Sequence, residues 1–276
     1  MKRKINNFWL GTLLLFVTVL QAGAQNVAVS PSRLYYKVGI GEYKSHEVTV
    51  KNSSKTPQAF KIFFADFESK GNQGKTTLMK KGESEHSCSN WLSASPSFFE
   101  LGPGESQKVE VLLQVPNTPE ANKVKWAVMN VKLAREKKAP AGEGNSETVG
   151  FGIVQTFQFI IHIFQTPPTV TYADAEIVGF KEITKPTDDT RTLSLEVSNT
   201  GETILNCASY LELTNLQNGE IKRLDVKAFT VLPDGRREIY FQLPVDLKKG
   251  QYSVLGVVDY GSKEKIAAAE MDLTVP

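Results

Sequence analysis

Apolar and polar residues alternate along most of the chain, as in "HEVTVKN" (46 to 52), "QKVEVLLQV" (107 to 115), "TLSLEVSN" (192 to 199) and "REIYFQL" (237 to 243). A period of two puts every second side chain on one face of an extended strand, which a helix cannot do. Past the first two dozen residues, no segment carries a helical period. Short alternating runs broken by Pro, Gly and Asn predict an all-β fold of packed sheets.

The pattern is used twice. In the first pass a strand ends at Asn52 in "VTVKNSSKTP", the turn "GPGE" (102 to 105) leads into a strand ending at Pro116, and "KWAVMNVKL" (125 to 133) follows. In the second, a strand ends at Asn199 in "LEVSNTGET", the turn "PDGR" (233 to 236) leads into a strand ending at Pro244, and "QYSVLGVVDYG" (251 to 261) follows. Two similar β-sandwiches in tandem explain the echo. Consecutive prolines in "QTPPT" (165 to 169) cannot donate to a ladder and stiffen the chain, so they mark the boundary. The predicted units are 25–166 and 167–276. Two stretches poor in apolar residues interrupt the pattern: 134–147, expected to be a long mobile loop, and 69–89, expected to be a loop or irregular excursion.

Lys2, Arg3 and Lys4 precede an apolar run from Phe8 to Leu20 that closes on Ala22-Gly23-Ala24. This order predicts a secretory signal peptide over 1–24, cleaved before Gln25. The apolar run is too short for a spanning helix, so the mature chain is expected to be exported and not membrane-spanning. Loss of those three basic residues takes the formal net charge from +2 to −1, leaving 29 basic against 30 acidic side chains. A near-neutral chain offers no electrostatic footprint for nucleic acid. The cysteines, Cys88 and Cys207, fall in different predicted units, which leaves open two separate buried thiols or an interdomain disulfide that export would permit.

Catalytic groupings are missing from the pattern. His46, His86 and His162 sit in an alternating strand, a polar stretch and an apolar strand, with no metal-ligand spacing, no paired cysteines and no nucleophile elbow. No catalytic residue, metal site, cofactor or small-molecule substrate is expected, and binding is the class of function that remains. One strand stands out for it. "VGFGIVQTFQFIIHIF" (149 to 164) places Val149, Phe151, Ile153, Phe157, Phe159, Ile161 and Ile163 on one face, with Gln155 the polar exception. Its second half reads as core; its first half, glycine-bearing and following the predicted loop, reads as a sheet edge. An apolar edge is normally a hazard. It becomes a site when a partner adds a strand, with main-chain hydrogen bonds giving affinity and alternate side chains selectivity.

In order along the chain, "SRLYYKVG" (32 to 39), the strand ending at Asn52, "LGPGESQKVEV", "KVKWAVMNVKL", the long loop and the strand ending "IHIFQTP" resemble the periplasmic pilus-chaperone family. The likeness covers roughly 27–168 and, beyond it, only the two-domain plan. It implies two immunoglobulin-like sandwiches and a cleft in which two basic residues hold a client's C-terminal carboxylate. It also implies a client chain paired with the strand after the loop. Arg33 matches the first basic anchor, for which a guanidinium suits a carboxylate through two parallel hydrogen bonds; an ordinary surface arginine is the alternative. The second anchor, a lysine in that family, falls on His162, and the basic residue before the interdomain proline is replaced by Gln165-Thr166. The last strands, "KKGQYSVLGVVDYGSKEKIAAAEMDLTV" (248 to 275), resemble immunoglobulin-like domains of bacterial cell-envelope proteins. The expectation is a non-enzymatic periplasmic or cell-envelope protein that caps an exported or surface protein by strand addition through Phe151, Ile153, Gln155 and Phe157, with Arg33 and His162 near the cleft. A permanent subunit of an envelope or secretion assembly is the alternative.

Overall fold

The computed structural model describes residues 27–70, 73–134, 157–184 and 190–276. Strands are numbered in chain order. In the first half one sheet runs β1 (Val27–Ser30), β3 (Tyr43–Asn52), β8 (Ser106–Gln114), β6 (Leu92–Ser95). The facing sheet runs β2 (Arg33–Lys37), β10 (Gln158–Thr166), β9 (Lys125–Ala134), β4 (Gln58–Lys70), β5 (Lys75–Met79), with β7 (Phe98–Leu101) also on β4. In the second half, β11 (Ala175–Glu182), β12 (Thr192–Asn199) and β16 (Arg236–Gln242) form one sheet. β14 (Ile221–Arg223), β13 (Leu205–Asn215), β17 (Gly250–Asp259) and β18 (Ala267–Val275) form the other, with β15 (Lys227–Val231) also on β13. The protein is all-β: two tandem immunoglobulin-like sandwiches, in which, among the described strands, β2 pairs with β10 in parallel and the other ladders are antiparallel. No helix among the described residues is long and apolar enough to cross a membrane.

Each sandwich closes on its own apolar layer. Val48, Val50, Val109 and Val111 from one sheet meet Phe60, Met129, Val131, Ile161 and Ile163 from the other. Leu193, Leu195 and Val197 meet Leu211, Leu213, Val254 and Val258 in the second. Burying each such side chain stabilises the fold by roughly 1.5–3 kcal/mol, which is why the period-two pattern dictates the layering. Cys88 lies in the first core and Cys207 in the second, and both are free thiols.

A third apolar cluster joins the sandwiches: Phe67, Trp126, Val128 and Phe164 pack with Leu232, flanked by Val170 and Ile204. β9 therefore buries both faces, Ala127, Met129 and Val131 toward the first core and Trp126 and Val128 toward this cluster. That double burial accounts for the nearly continuous apolar run of "KVKWAVMNV".

The described residues of the stretch 69–89 are more regular than their composition suggests. β4 runs on to Lys70 and pairs with β5 across a hairpin, Asp66↔Met79 through Lys70↔Lys75. The following segment is tied down by buried Asp66, which accepts hydrogen bonds from the Ser84 backbone N–H at 2.8 Å and the Ser87 hydroxyl at 2.6 Å. Alternation reports burial rather than pairing. β5 buries neither face, so its sequence carries no apolar rhythm.

Candidate binding edge and interdomain cleft

The chain changes sheets between β1 and β2. Val27–Ser30 pairs with β3, whereas β2 pairs with β10 in the opposite sheet, from His162↔Arg33 to Thr166↔Lys37. β2 thus begins to cover β10 only at His162. Among the described residues, Gln158–Ile161 has β9 on one side and no strand on the other.

The direction of the backbone groups follows from two bonds. Phe157 accepts from the Leu133 N–H at 3.2 Å on the β9 side, and His162 donates to the Ser32 carbonyl at 3.1 Å on the β2 side. Antiparallel pairs alternate between hydrogen-bonded and non-hydrogen-bonded, so odd-numbered residues of β10 address β9 while Gln158 and Ile160 address the open side. The side chains alternate as well: Phe159, Ile161 and Ile163 lie on the first core, Ile160 and Phe164 on the interdomain cluster. Phe157, at the start of this edge, is 54% exposed. Phe151, Ile153 and Gln155 lie outside the described residues.

At the lower end of the edge, a cavity of about 250 Å3 opens between the sandwiches. β2, β10 and the β4–β5 hairpin supply Arg33, His162, Phe164, Phe67 and Thr76, and the second sandwich supplies Thr230, Leu232 and Arg237. Arg33 donates from Nη1 to the Thr230 hydroxyl at 3.2 Å, a contact across the two units. The hairpin tip makes another: Gln73 Nε2 donates to the Tyr240 hydroxyl at 3.1 Å.

His162 is directly opposite Arg33 in the ladder. Its ring meets Phe67 edge-on with centroids 5.0 Å apart and stacks toward Phe164 at 6.2 Å, and Nε2 lies 3.2 Å from the Thr76 hydroxyl. Burial, reinforced by the positive charge of Arg33, lowers its pKa. At neutral pH this imidazole is an uncharged, packed side chain.

Sequence reasoning overlooked Arg237. It stands on β16 in phase with Ile239 and Phe241, both buried in the second core, and opposite buried Val197. An arginine at an inward phase is the signal that was there to find. Burial, and then the charge of Arg33, hold its pKa below the usual guanidinium range, and it remains protonated. Its Nη1 sits over Gly74 in the hairpin turn, 1.5 Å from where a β-carbon at that position would stand. Neither Arg33 nor Arg237 has a salt-bridge partner among the described residues.

No family model matches this chain, and no curated protein is similar to it. Among solved structures, it is similar to a chain of the chaperone–tip adhesin complex of CFA/I fimbriae at 14% identity, covering 91% of this chain and 99% of that one with a TM-score of 0.47. The Pseudomonas aeruginosa CupB2 chaperone is matched at 14% identity over 90% of this chain and 100% of that one, TM-score 0.44. The E. coli chaperone DraB is matched at 17% identity over 89% and 98%, TM-score 0.42. At these scores the likeness assigns no role to any residue.

Proposed function

We propose that this protein is an exported, non-enzymatic, chaperone-like binding protein of the bacterial periplasm or cell envelope, which caps an extended segment of an exported client by adding it as a strand beside β10. The observation that carries the reading is the open edge at Gln158–Ile161, whose Gln158 and Ile160 backbone groups have no neighbouring strand among the described residues. A strand laid there gains main-chain hydrogen bonds at even positions while its side chains meet an apolar surface that includes Phe157. Phe151, Ile153 and Gln155 would extend that surface upstream, and Arg33 would face the end of the added strand. The folding unit 25–166 would then supply the edge and 167–276 the far wall of the cleft, with 1–24 removed on export.

Gln158→Pro tests this directly. Proline removes the N–H that faces the open side and no β9 ladder bond, so the sandwich keeps its pairing. Crosslinked capture from the native envelope should recover several exported subunits with the wild type, and these should be lost with Gln158→Pro and with Arg33→Ala. One fixed partner retained by all three proteins would defeat the reading and identify a permanent assembly subunit.

A further inference from the structure

The two sandwiches meet through a small joint. Leu232 of the second packs with Phe67, Trp126 and Phe164 of the first. Beside this cluster Arg33 donates to Thr230, and the tip of the β4–β5 hairpin reaches over the cavity, with Gln73 donating to Tyr240 and Gly74 lying under the Arg237 guanidinium. No ion pair joins the sandwiches among the described residues. Relative motion of two domains is the default unless a large apolar interface prevents it, so one side chain can decide whether a small joint stays closed.

His162 stands inside that joint. Its ring lies against Phe67 and Phe164, two members of the cluster, and its Nε2 is 3.2 Å from the Thr76 hydroxyl of the hairpin. Its surroundings oppose a charge. β2 brings Arg33 and β16 brings Arg237 to the same cavity. β9 sets Val128 opposite the histidine, β4 and β5 offer Phe67, Ser69 and Thr76, and β15 offers Thr230. Asp66, Glu68 and Lys75 alternate to the other face of the hairpin, where Asp66 is taken up by Ser84 and Ser87 and Glu68 lies near His86. No carboxylate lines the cavity among the described residues. A proton on His162 therefore adds a third cation to a cleft that already holds two guanidiniums, with little water to spread the charge. Parting of the sandwiches admits water and separates the charges.

We propose that His162 is an acid-operated release of this joint: uncharged, its ring fastens the hairpin and the second sandwich against β10, and as an imidazolium it frees the two sandwiches to move apart while each keeps its own core. Burial and Arg33 hold its pKa low, which keeps the joint closed at neutral pH and sets the release on the acid side of the ordinary histidine range. His86, on the other flank of the cluster against Trp126, does not share the role. A charge there is drawn to Asp234 of the second sandwich and to Glu85 and Glu68, with Lys125 opposing, so it holds the sandwiches together. The release needs no bound client and stands or falls apart from strand addition.

Small-angle X-ray scattering on the full chain, with circular dichroism on the same samples, tests the release. As the pH falls from about 8 to about 5, the span over which an imidazole changes charge, the radius of gyration of the wild type should rise reversibly along a curve no steeper than one proton, with the β-sheet signal unchanged. His162→Gln keeps a polar partner for Thr76, and His162→Phe keeps a ring against Phe67 and Phe164; neither can take up a proton. Whichever of them matches the wild type at neutral pH should stay compact throughout, whereas His86→Gln should expand as the wild type does. A wild type that stays compact until the sheet signal is lost overturns the release. So does acid expansion of equal size in a compact His162 variant, or loss of the expansion in His86→Gln. If both His162 variants are already expanded at neutral pH, the residue is packing alone and the release is likewise overturned.

Discussion

Asn52 and Asn199, 147 positions apart, make the same hydrogen bonds in the two sandwiches. Each donates from Nδ2 to the carbonyl four residues on, Thr56 or Thr203, at 2.8 Å. Each also donates to the carbonyl before the Pro-containing turn, Leu101 at 3.0 Å or Val231 at 3.1 Å. Each Oδ1 accepts from the backbone N–H two residues on, Ser54 at 3.0 Å or Gly201 at 2.9 Å. Asn→Ala at either position leaves several buried backbone groups unpaired and should cost about 3 kcal/mol. Chemical denaturation monitored by hydrogen exchange should show the loss in the affected sandwich first; a change below about 1 kcal/mol in both variants would mean that water replaces these bonds.

The echo in the sequence is this device. Pro103 and Pro233 occupy equivalent turn positions, and the left-handed residue after them is Gly104 in one and Asp234 in the other. The Asn52 N–H donates to the Glu105 carbonyl and the Asn199 N–H to the Gly235 carbonyl, so the turns match one residue out of step with their glycines. The all-β class and the two-fold plan were legible because burial alternation and turn chemistry are local signals, whereas the parallel pairing of Arg33 with His162 joins distant segments and has no local signal. β5 was not, because an edge hairpin buries neither face. Arg237 was not, because its neighbour Arg236 is equally basic, and only the phase set by Ile239 and Phe241 says which of them turns into the cleft.

The two thiols should be inert in the folded protein. Cys88 is fully buried and its pKa is driven up by burial and by Asp66. Cys207 is pushed up to about 12 by burial and then by Asp259. Thiolate, the reactive form, is therefore scarce at neutral pH. A thiol reagent should label neither residue in native buffer and both in denaturant, and reductant should leave the melting temperature unchanged. A drop in melting temperature on reduction would reveal a disulfide and contradict the separate placement of the two cysteines.

Stability should fall as the pH drops below the ordinary histidine value of 6.5. His162 is held low by burial and then by Arg33. His86, stacked on Trp126 with centroids 4.2 Å apart, is held low by burial and then by Lys125, partly opposed by Asp234 of the other sandwich. Between the folded values and 6.5 the unfolded chain binds protons that the native chain refuses, so stability rises with pH in that window and is fully present above it. The slope should be at most one proton per histidine, and His86→Gln or His162→Gln should each reduce it. A pH profile identical in both variants and wild type would assign the acid sensitivity to carboxylates instead.

Gly74 is required twice over. Its φ of +63° is left-handed, and the Arg237 guanidinium occupies the space where a side chain would begin. Gly74→Ala should strain the turn by about 1 kcal/mol, a modest loss because the colliding atom is the free end of a flexible side chain. Gly74→Asn separates the two causes, since asparagine tolerates the left-handed turn but still meets the guanidinium. Chemical denaturation should show that it recovers most of the loss. An equal loss with asparagine and alanine would place the cost in the displaced Arg237 guanidinium rather than in the turn.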